Sequence, residues 1–142
     1  MKKLLYCIAI MMAVLTFASC ENASNAKLEG KWRIITVTGY ESYGSQQSEP
    51  QTVNVEDKLN YWEFLEDGTF VLYYIKDDGE KKYECEGTWT RTGAKVELKV
   101  KDVDNVQVEG TIKQLTASKL VFQMAQTFGD FSITQVYDCN RE

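Results

Sequence analysis

Apolar and polar side chains alternate with a period of two along most of the chain after residue 30. Within 94–101, valine and leucine alternate with glutamate and lysine, and the same spacing recurs over 83–90 and 119–124. Successive side chains of a strand point to opposite faces, so this spacing predicts strands with one dry and one wet face. No segment in this part of the chain has convincing helical periodicity.

Short turn sequences separate these runs. Glu66-Asp67-Gly68 and Asp77-Asp78-Gly79 are typical hairpin turns, and further turn residues follow at short spacing. The one longer connection, 40–57, is rich in Ser, Gln and Glu and contains the single proline, Pro50. We interpret it as a flexible loop. The predicted strands are 31–39, 58–66, 69–76, 81–91, 94–101, 106–115, 119–125 and 131–139.

Short links imply that consecutive strands are antiparallel neighbours, because parallel strands need long crossover connections. An open sheet of this kind leaves two unpaired edges, and closure removes both. The sequence therefore predicts an all-β fold, an eight-stranded antiparallel up-and-down β-barrel. Eight strands enclose an interior that is filled by side chains or holds one small ligand. A two-sheet sandwich is the main alternative.

The first residues have the organisation of an export signal. Two lysines precede an uncharged stretch, 4–17, of 14 residues, which is mostly apolar. A transmembrane helix needs about 20 residues to cross a hydrocarbon core of roughly 30 Å, so this stretch is too short and fits a signal peptide. Small residues follow at Ala18 and Ser19.

The sequence Phe17-Ala18-Ser19-Cys20 resembles the lipobox of bacterial lipoproteins. The resemblance implies cleavage before Cys20 and acylation at that cysteine, with chains such as palmitate. An ordinary signal peptide cut near Ala18 is the alternative. The expected organisation is a lipoprotein signal peptide over 1–19, a lipidated tether over 20–27 and a barrel domain over 28–142. Two or more acyl chains anchor a protein stably.

Composition narrows the partners and the compartment. The net charge is −5, and removal of 1–19 takes away two lysines and no acid, which leaves 123 residues with a charge of −7. Nucleic-acid binding needs clustered Lys and Arg, so we expect no nucleic-acid partner, and membrane contact through the lipid alone. Glu21 is not the Asp that marks inner-membrane retention in some bacteria. This favours the outer membrane and leaves the facing side open.

Two cysteines besides Cys20 remain after cleavage, Cys85 and Cys139. In an oxidising compartment they allow a single pairing, so we expect a Cys85–Cys139 disulfide. Closing a loop of about 55 residues would stabilise the fold by roughly 4 kcal/mol in the chain-entropy model. Two free thiols buried in the core are the alternative.

Several short motifs resemble those of bacterial lipocalin-like lipoproteins. Gly30-Lys31-Trp32 resembles the G-x-W motif of the first lipocalin strand, 62–70 resembles an F-x-x-D-G-T-F hairpin, and 87–89 resembles a later G-x-W strand. The resemblance implies a lipocalin barrel with Trp32 across its closed end, beside a basic residue such as Arg141. It also implies a disulfide between the fourth strand and the C-terminal tail, where Cys85 and Cys139 fall.

Catalytic signatures are scarce. The chain contains no histidine, which excludes His-based triads and argues against zinc hydrolysis, since histidine is a usual ligand of catalytic zinc. Acidic pairs in the turns do not have the spacing of an EF-hand calcium loop. Glu63 could act as an acid or base only if it faced an apolar lumen that raised its pKa, and no second catalytic group accompanies it. We expect no enzyme activity, no cofactor and no metal.

We predict a lipid-anchored cell-envelope protein that binds a small hydrophobic ligand in its barrel, as the resemblance implies. Aromatic residues lie mostly on the strands, and most of them are expected to fill the core. The predicted lumen residues are Tyr61, Phe64, Tyr74 and Tyr83. The alternative is a non-enzymatic envelope interaction or structural module with a packed barrel and working loops, 41–57 above all. The sequence assigns no protein partner.

Overall fold

The computed structural model describes residues 26–104 and 107–142, and within these ranges every regular element is a strand. None of these residues forms a helix that could span a membrane. The predicted signal peptide and Cys20 lie outside the described residues. The ten strands are β1 (Gly30–Tyr43), β2 (Gln46–Gln47), β3 (Gln51–Asn54), β4 (Asn60–Phe64), β5 (Thr69–Ile75), β6 (Lys81–Thr92), β7 (Lys95–Val100), β8 (Gln107–Leu115), β9 (Lys119–Phe128) and β10 (Phe131–Arg141).

Alternation of burial follows the alternation of the sequence. In β7, Val96 and Leu98 are buried, whereas Lys95, Glu97 and Lys99, which alternate with them, are exposed. In β9, Leu120, Phe122 and Met124 are buried in the same manner. Burial of these apolar side chains is the main favourable contribution to folding. Each of these strands therefore has one face toward the interior and one toward water.

The sheet closes on itself. Neighbours along the chain pair in antiparallel fashion from β4 to β10, and β1 pairs with both β4 and β10. The pairing of β1 with β10 extends from Trp32 opposite Arg141 to Tyr43 opposite Phe131. The structure is thus a closed eight-stranded antiparallel barrel, and the predicted fold class is confirmed. The alternative of a two-sheet sandwich does not apply.

The connection over 40–57 is more ordered than predicted. β1 continues to Tyr43, and the short strands β2 and β3 pair with its upper half. The hydroxyls of Thr38 and Thr52 lie 2.8 Å apart across this pairing. β2, β3 and β4 therefore share one position in the barrel, and the interpretation of this segment as a flexible loop is wrong. Thr and Gln pair as strand residues here because β1 offers them an unpaired edge.

Aromatic rings fill the lower half of the barrel. The Trp62 ring centroid lies 5.7 Å from that of Phe64, 5.8 Å from Phe70, 5.6 Å from Phe122 and 5.4 Å from Tyr137. Several of these contacts are edge-to-face, which the ring quadrupole favours. Trp62, Phe70 and Phe122 are 0% exposed, so this half is a packed core without room for a ligand.

The lower end is closed by Trp32 and Arg141. The indole N–H of Trp32 donates to the carbonyl of Leu28 at 2.8 Å, and the Arg141 guanidinium carbon lies 4.1 Å from the ring centroid. Arg141 also donates to the carbonyls of Lys27 and Glu29, which ties the N-terminal segment to the end of the last strand. Gly30 has φ +137°, and a Cβ there would meet the guanidinium of Arg141.

The expected disulfide is absent, and both Cys85 and Cys139 are free thiols. Cys85 lies on β6 and Cys139 on β10, which are four positions apart in either direction round the barrel. Strands about 4.8 Å apart give eight strands a girth of roughly 38 Å, so opposite walls lie about 12 Å apart. A disulfide needs Cα atoms closer than about 7 Å. Burial raises the pKa of the Cys139 thiol, which disfavours its thiolate.

Gly87 provides a test of the strand packing. A Cβ at this position would collide with the backbone carbonyl of Lys99 and press on the ring of Phe70, whereas at Gly39 it would meet only the Thr134 carbonyl at 3.9 Å. We expect Gly87→Ala to lower the free energy of unfolding by about 1–3 kcal/mol. Gly39→Ala should change it by less than about 0.5 kcal/mol. Urea denaturation measures both, and equal effects would contradict this packing.

Candidate functional site

The upper half of the barrel is open above the aromatic core. Tyr137 and Met124 form part of its floor, and each is 5% exposed. The Tyr137 hydroxyl donates to Gln135 Oε1 at 3.0 Å, one inward position higher on β10. Above this level the inward side chains are only partly buried, as at Ile133 and Gln126. The interior thus changes from a packed core to an accessible mouth at the level of Tyr137.

A cavity of about 930 Å³ opens at the upper ends of β4, β5 and β6. Its volume lies within the range of small-molecule sites, about 300–1,000 Å³. Tyr74 and Asn60, which pair across β4 and β5, form the part of its wall that faces inward. The lining combines four carboxylates with two lysines and two aliphatic side chains. These are Asp57, Asp77, Asp78 and Glu84, then Lys58 and Lys76, then Leu59 and Ile75.

A β-bulge places Glu84 in this cavity. The pairing of β5 with β6 passes from Leu72 opposite Cys85 to Tyr73 opposite Tyr83, so Glu84 is an extra residue on β6. Bulges turn a side chain away from the regular alternation and are common beside functional sites. Burial raises the pKa of Tyr137, and the Glu84 carboxylate raises it further. Glu84 therefore stands close enough to the floor of the mouth to act on its hydroxyl.

The predicted lumen residues lie in three different environments. Tyr74 lines the cavity, and its role in binding stays a prediction. Phe64 faces inward but is 1% exposed and belongs to the packed core. Tyr61 and Tyr83 lie on the outer wall, so their assignment to the lumen is wrong. The physical reason is strand alternation, since Trp62 occupies the inward position next to Tyr61.

The outer wall carries a cluster of tyrosines. Tyr61 stacks on Tyr73 with ring centroids 5.4 Å apart, and Tyr83 lies 6.0 Å from Tyr73. The Lys31 ammonium lies 4.2 Å from the centroid of Tyr61, whose hydroxyl donates to Glu142 at 3.3 Å. Burial is the first cause of the raised pKa of both Tyr61 and Tyr73. These rings pack against each other on the outer face of the barrel wall. They therefore do not line the lumen.

Glu63 also faces outward. It lies opposite Lys31 in β1 and Val71 in β5, on the same face as Tyr61. The condition under which Glu63 could act as an acid or base, a position in an apolar lumen, is therefore not met. Glu84, on the cavity wall, is an acid that periodicity did not reveal, because a one-residue bulge has no signature in an alternating pattern. Asn60 was also missed, since a polar residue at a strand start is typical of a turn.

The described residues contain no group of three or more His, Cys, Asp or Glu side chains arranged to hold a metal ion. The carboxylates around the cavity are spread along its rim. Asp78 accepts a hydrogen bond from the backbone N–H of Glu80 at 2.9 Å, and Lys76 pairs with the Glu80 carboxylate at 2.6 Å. These contacts are typical of a stabilised hairpin turn. The cavity therefore presents charged side chains and the Tyr74 ring to a ligand, without a metal site among the described residues.

A family model for a lipocalin-like domain matches residues 28–122. The matched segment begins at the buried Leu28 of the closed end and extends into β9, so it contains most of the barrel and all the residues that line the cavity. No curated protein matches the chain.

The buried Tyr137 hydroxyl predicts a pH dependence of stability. The pKa of Tyr137 is raised in the folded state above its ordinary value of about 10. The unfolded chain therefore loses this proton first, so the contribution of Tyr137 to stability is constant below about pH 10 and is lost as the pH rises further. We expect Tyr137→Phe to reduce the loss of unfolding free energy between about pH 8 and about pH 11.

Urea denaturation at the two pH values measures this loss. Tyr43→Phe removes an exposed hydroxyl and is the control, since Tyr43 is 68% exposed. An alkaline loss of the same size in both variants would show that Tyr137 is not the group responsible.

Proposed function

The chain belongs to the lipocalin-like domain family, and from this premise we propose that it binds a small, largely apolar molecule in the mouth of its barrel. The observation that carries the proposal is the cavity of about 930 Å³ at the upper ends of β4, β5 and β6, with the Tyr74 ring and the side chains of Leu59 and Ile75 in its wall. Eight-stranded barrels have an interior wide enough for one small ligand. The upper half supplies that space, because side chains fill the lower half.

Exposed apolar side chains around the mouth support binding. Leu59, on the cavity wall, is 39% exposed, and Val53 and Phe128 are 55% and 44% exposed. Phe128 and Phe131 lie at the turn between the last two strands, with ring centroids 6.5 Å apart. Apolar groups concentrated at one end of a barrel are typical of a binding surface. A ligand seated there would remove them from water.

The packed lower half sets the size of the ligand. Trp62, Phe64 and Phe122 occupy the interior below Tyr137 completely. A molecule bound at the mouth therefore extends to the level of Tyr137 and no deeper. This favours a compact molecule or a short chain over a long fatty acid. The alternative, an interaction module with a filled barrel, fits the lower half of the structure and not the upper half.

We also propose that the protein is anchored to the outer membrane through acylated Cys20. The sequence resemblance to a lipobox supports this, and the positions of Ala26 and Lys27 indicate the orientation. Arg91 donates to the carbonyl of Ala26 at 2.9 Å, and Arg141 donates to that of Lys27 at 2.7 Å. The tether thus leaves the barrel at its closed end. Six residues span at most about 20 Å, so the closed end would face the bilayer.

Filling the cavity tests the binding proposal. Asn60 faces inward, and Asn60→Trp adds a large ring to the space that the ligand would occupy. We expect at least about a tenfold loss of affinity for the neutral apolar fluorophore N-phenylnaphthylamine, because a filled pocket excludes the probe. Thr90→Trp is the matched control, since Thr90 is exposed on the outer wall opposite Glu97.

Fluorescence titration measures both affinities, and thermal unfolding shows whether each variant is folded. Equal affinity of the unaltered protein, Asn60→Trp and Thr90→Trp would contradict binding in this cavity. Failure of the unaltered protein to bind the fluorophore would count against the proposed function as a whole.

Removal of the thiol at Cys20 tests the anchor. We expect Cys20→Ser to abolish incorporation of labelled palmitate in a bacterial host and to move the protein out of the membrane fraction, since acyl chains supply the membrane affinity. Cys85→Ser leaves the proposed acylation site intact and is the control. Palmitate incorporation that persists in Cys20→Ser would show that the anchor lies elsewhere.

A further inference from the structure

A second, smaller cavity opens at the mouth beside the closing pair of strands. Its volume is about 430 Å³, and its walls are β1, β3, β10 and the segment that joins β2 to β3. Gly39 on β1 pairs with Gln51 of β3 on one side and with Gln135 of β10 on the other. The next pair below on the same face, Val37 and Tyr137, belongs to the core or packs against it. Alternation therefore places Gly39, Gln51 and Gln135 on the inner face of the barrel.

The missing side chain at position 39 provides the space in this cavity. A Cβ there would meet only the Thr134 carbonyl, at 3.9 Å, and Gly39 does not have a positive φ. Neither the packing nor the backbone conformation therefore requires a glycine at this position. At the rim, the Ser48 N–H donates to the Glu41 carbonyl at 2.8 Å, and the Ser48 hydroxyl accepts from the Glu41 N–H at 2.9 Å. These bonds hold the segment between β2 and β3 against β1, so the space at Gly39 has a defined wall.

Gln135 presents a hydrogen-bond donor to this cavity. The Tyr137 hydroxyl donates to Gln135 Oε1 at 3.0 Å, which fixes the orientation of the amide and leaves its two N–H donors for another acceptor. Among residues 26–104 and 107–142, none accepts a hydrogen bond from this nitrogen. Gln135 is only half-buried, so a molecule in the cavity can reach it. An acceptor atom on a ligand would therefore complete the bonding of the amide.

Tyr137 connects this cavity with the larger one. Its hydroxyl bonds to Gln135, which lines the smaller cavity. Burial is the first cause of the raised pKa of Tyr137, and the carboxylate of Glu84, which lines the larger cavity, is the second. The hydroxyl thus lies near both cavity walls. A compact molecule on the floor at Tyr137 therefore has access to the Gln135 amide.

The surroundings of the Gln135 amide favour an uncharged acceptor. The described residues that line the smaller cavity include Glu41 and Glu49 and no lysine or arginine. A carboxylate on the ligand would be repelled by these acids. An ammonium group has donors but no lone pair with which to accept from an amide. A carbonyl oxygen satisfies both conditions.

We propose that the ligand of the mouth carries an uncharged carbonyl group, whose oxygen accepts a hydrogen bond from the Gln135 amide beside Gly39 and whose apolar part covers the floor at Tyr137. This inference rests on the proposed function and specifies the chemical class of its ligand. Gln135 selects the ligand, and Tyr137 is a positioning residue that holds the amide in its donating orientation. No covalent step is involved.

The test compares three naphthalene derivatives as competitors of N-phenylnaphthylamine on the purified protein at neutral pH. Acetonaphthone carries a carbonyl, isopropenylnaphthalene has a methylene group in place of the carbonyl oxygen, and naphthoate carries a carboxylate. We expect acetonaphthone to bind at least about fivefold more tightly than isopropenylnaphthalene, because only the ketone accepts a hydrogen bond. Naphthoate should bind most weakly.

Equal or tighter binding of isopropenylnaphthalene or of naphthoate would overturn the proposed ligand class and leave the proposed function intact. The same holds if the fluorophore binds and none of the three compounds displaces it. Failure of the fluorophore itself to bind would count against the function, and with it against the ligand class.

Gln135→Leu locates the preference for the carbonyl. The substitution removes the amide and keeps a side chain of similar size, so we expect the affinity for acetonaphthone to fall at least about fivefold while isopropenylnaphthalene binds as before. Gln123→Leu is the matched control, because Gln123 lies on the outer face of β9 between the inward Phe122 and Met124. It should change neither affinity. A ketone preference that persists in Gln135→Leu would overturn the role of Gln135.

Tyr137→Phe tests the positioning role. The variant keeps the ring and removes the donor that fixes the Gln135 amide. We expect the ratio of the two affinities, acetonaphthone to isopropenylnaphthalene, to fall toward one while the affinity for isopropenylnaphthalene stays the same. An unchanged ratio would overturn this role. The comparison of probes on the unaltered protein decides the ligand class even if a variant does not fold.

Discussion

The pairing of β1 with β10 is the constraint on which the rest of the structure depends. It turns a sheet with two exposed edges into a barrel with an inside, and its register sets which residues meet. Trp32 and Arg141 are register partners in this pairing, which is why the guanidinium covers the indole at the closed end. The same pairing extends upward to Tyr43 and Phe131, so these strands also form one wall of the mouth.

The interior of the closed barrel has a packed lower half and an open upper half. Below Tyr137 the rings of Trp62, Phe70 and Phe122 pack to full burial and supply most of the apolar stabilisation. Above it the strands carry shorter or polar inward residues, and space remains. The packed lower half stabilises the fold, and the upper half contains the cavity with the solvent-exposed Glu84 in its wall. Stability and binding are thus separated along the barrel axis.

The alternating pattern predicted the strands well and the site only in part. Period-two spacing determines which residues share a face, and in β7 it also shows which face is buried, because charges occupy the other. In β4 both faces are aromatic, so the pattern did not show whether Tyr61 or Trp62 points inward, and Tyr61 was assigned to the wrong side. The position of Glu84 in the cavity wall was not predicted for a different reason, since its orientation depends on a bulge. The free thiols of Cys85 and Cys139 follow from their positions on opposite walls.

Amide hydrogen exchange across the closing pair tests the account most directly. Backbone amides that bond between β1 and β10, around Val37 and Tyr137, should exchange as slowly as those that bond between β8 and β9, around Ile112 and Phe122. Core strands in a closed barrel open only in global unfolding, so both sets should show the protection of the whole fold. Exchange between β1 and β10 as fast as in the hairpin turn at residues 76–80 would show an open sheet, and with it neither a closed end nor a binding mouth.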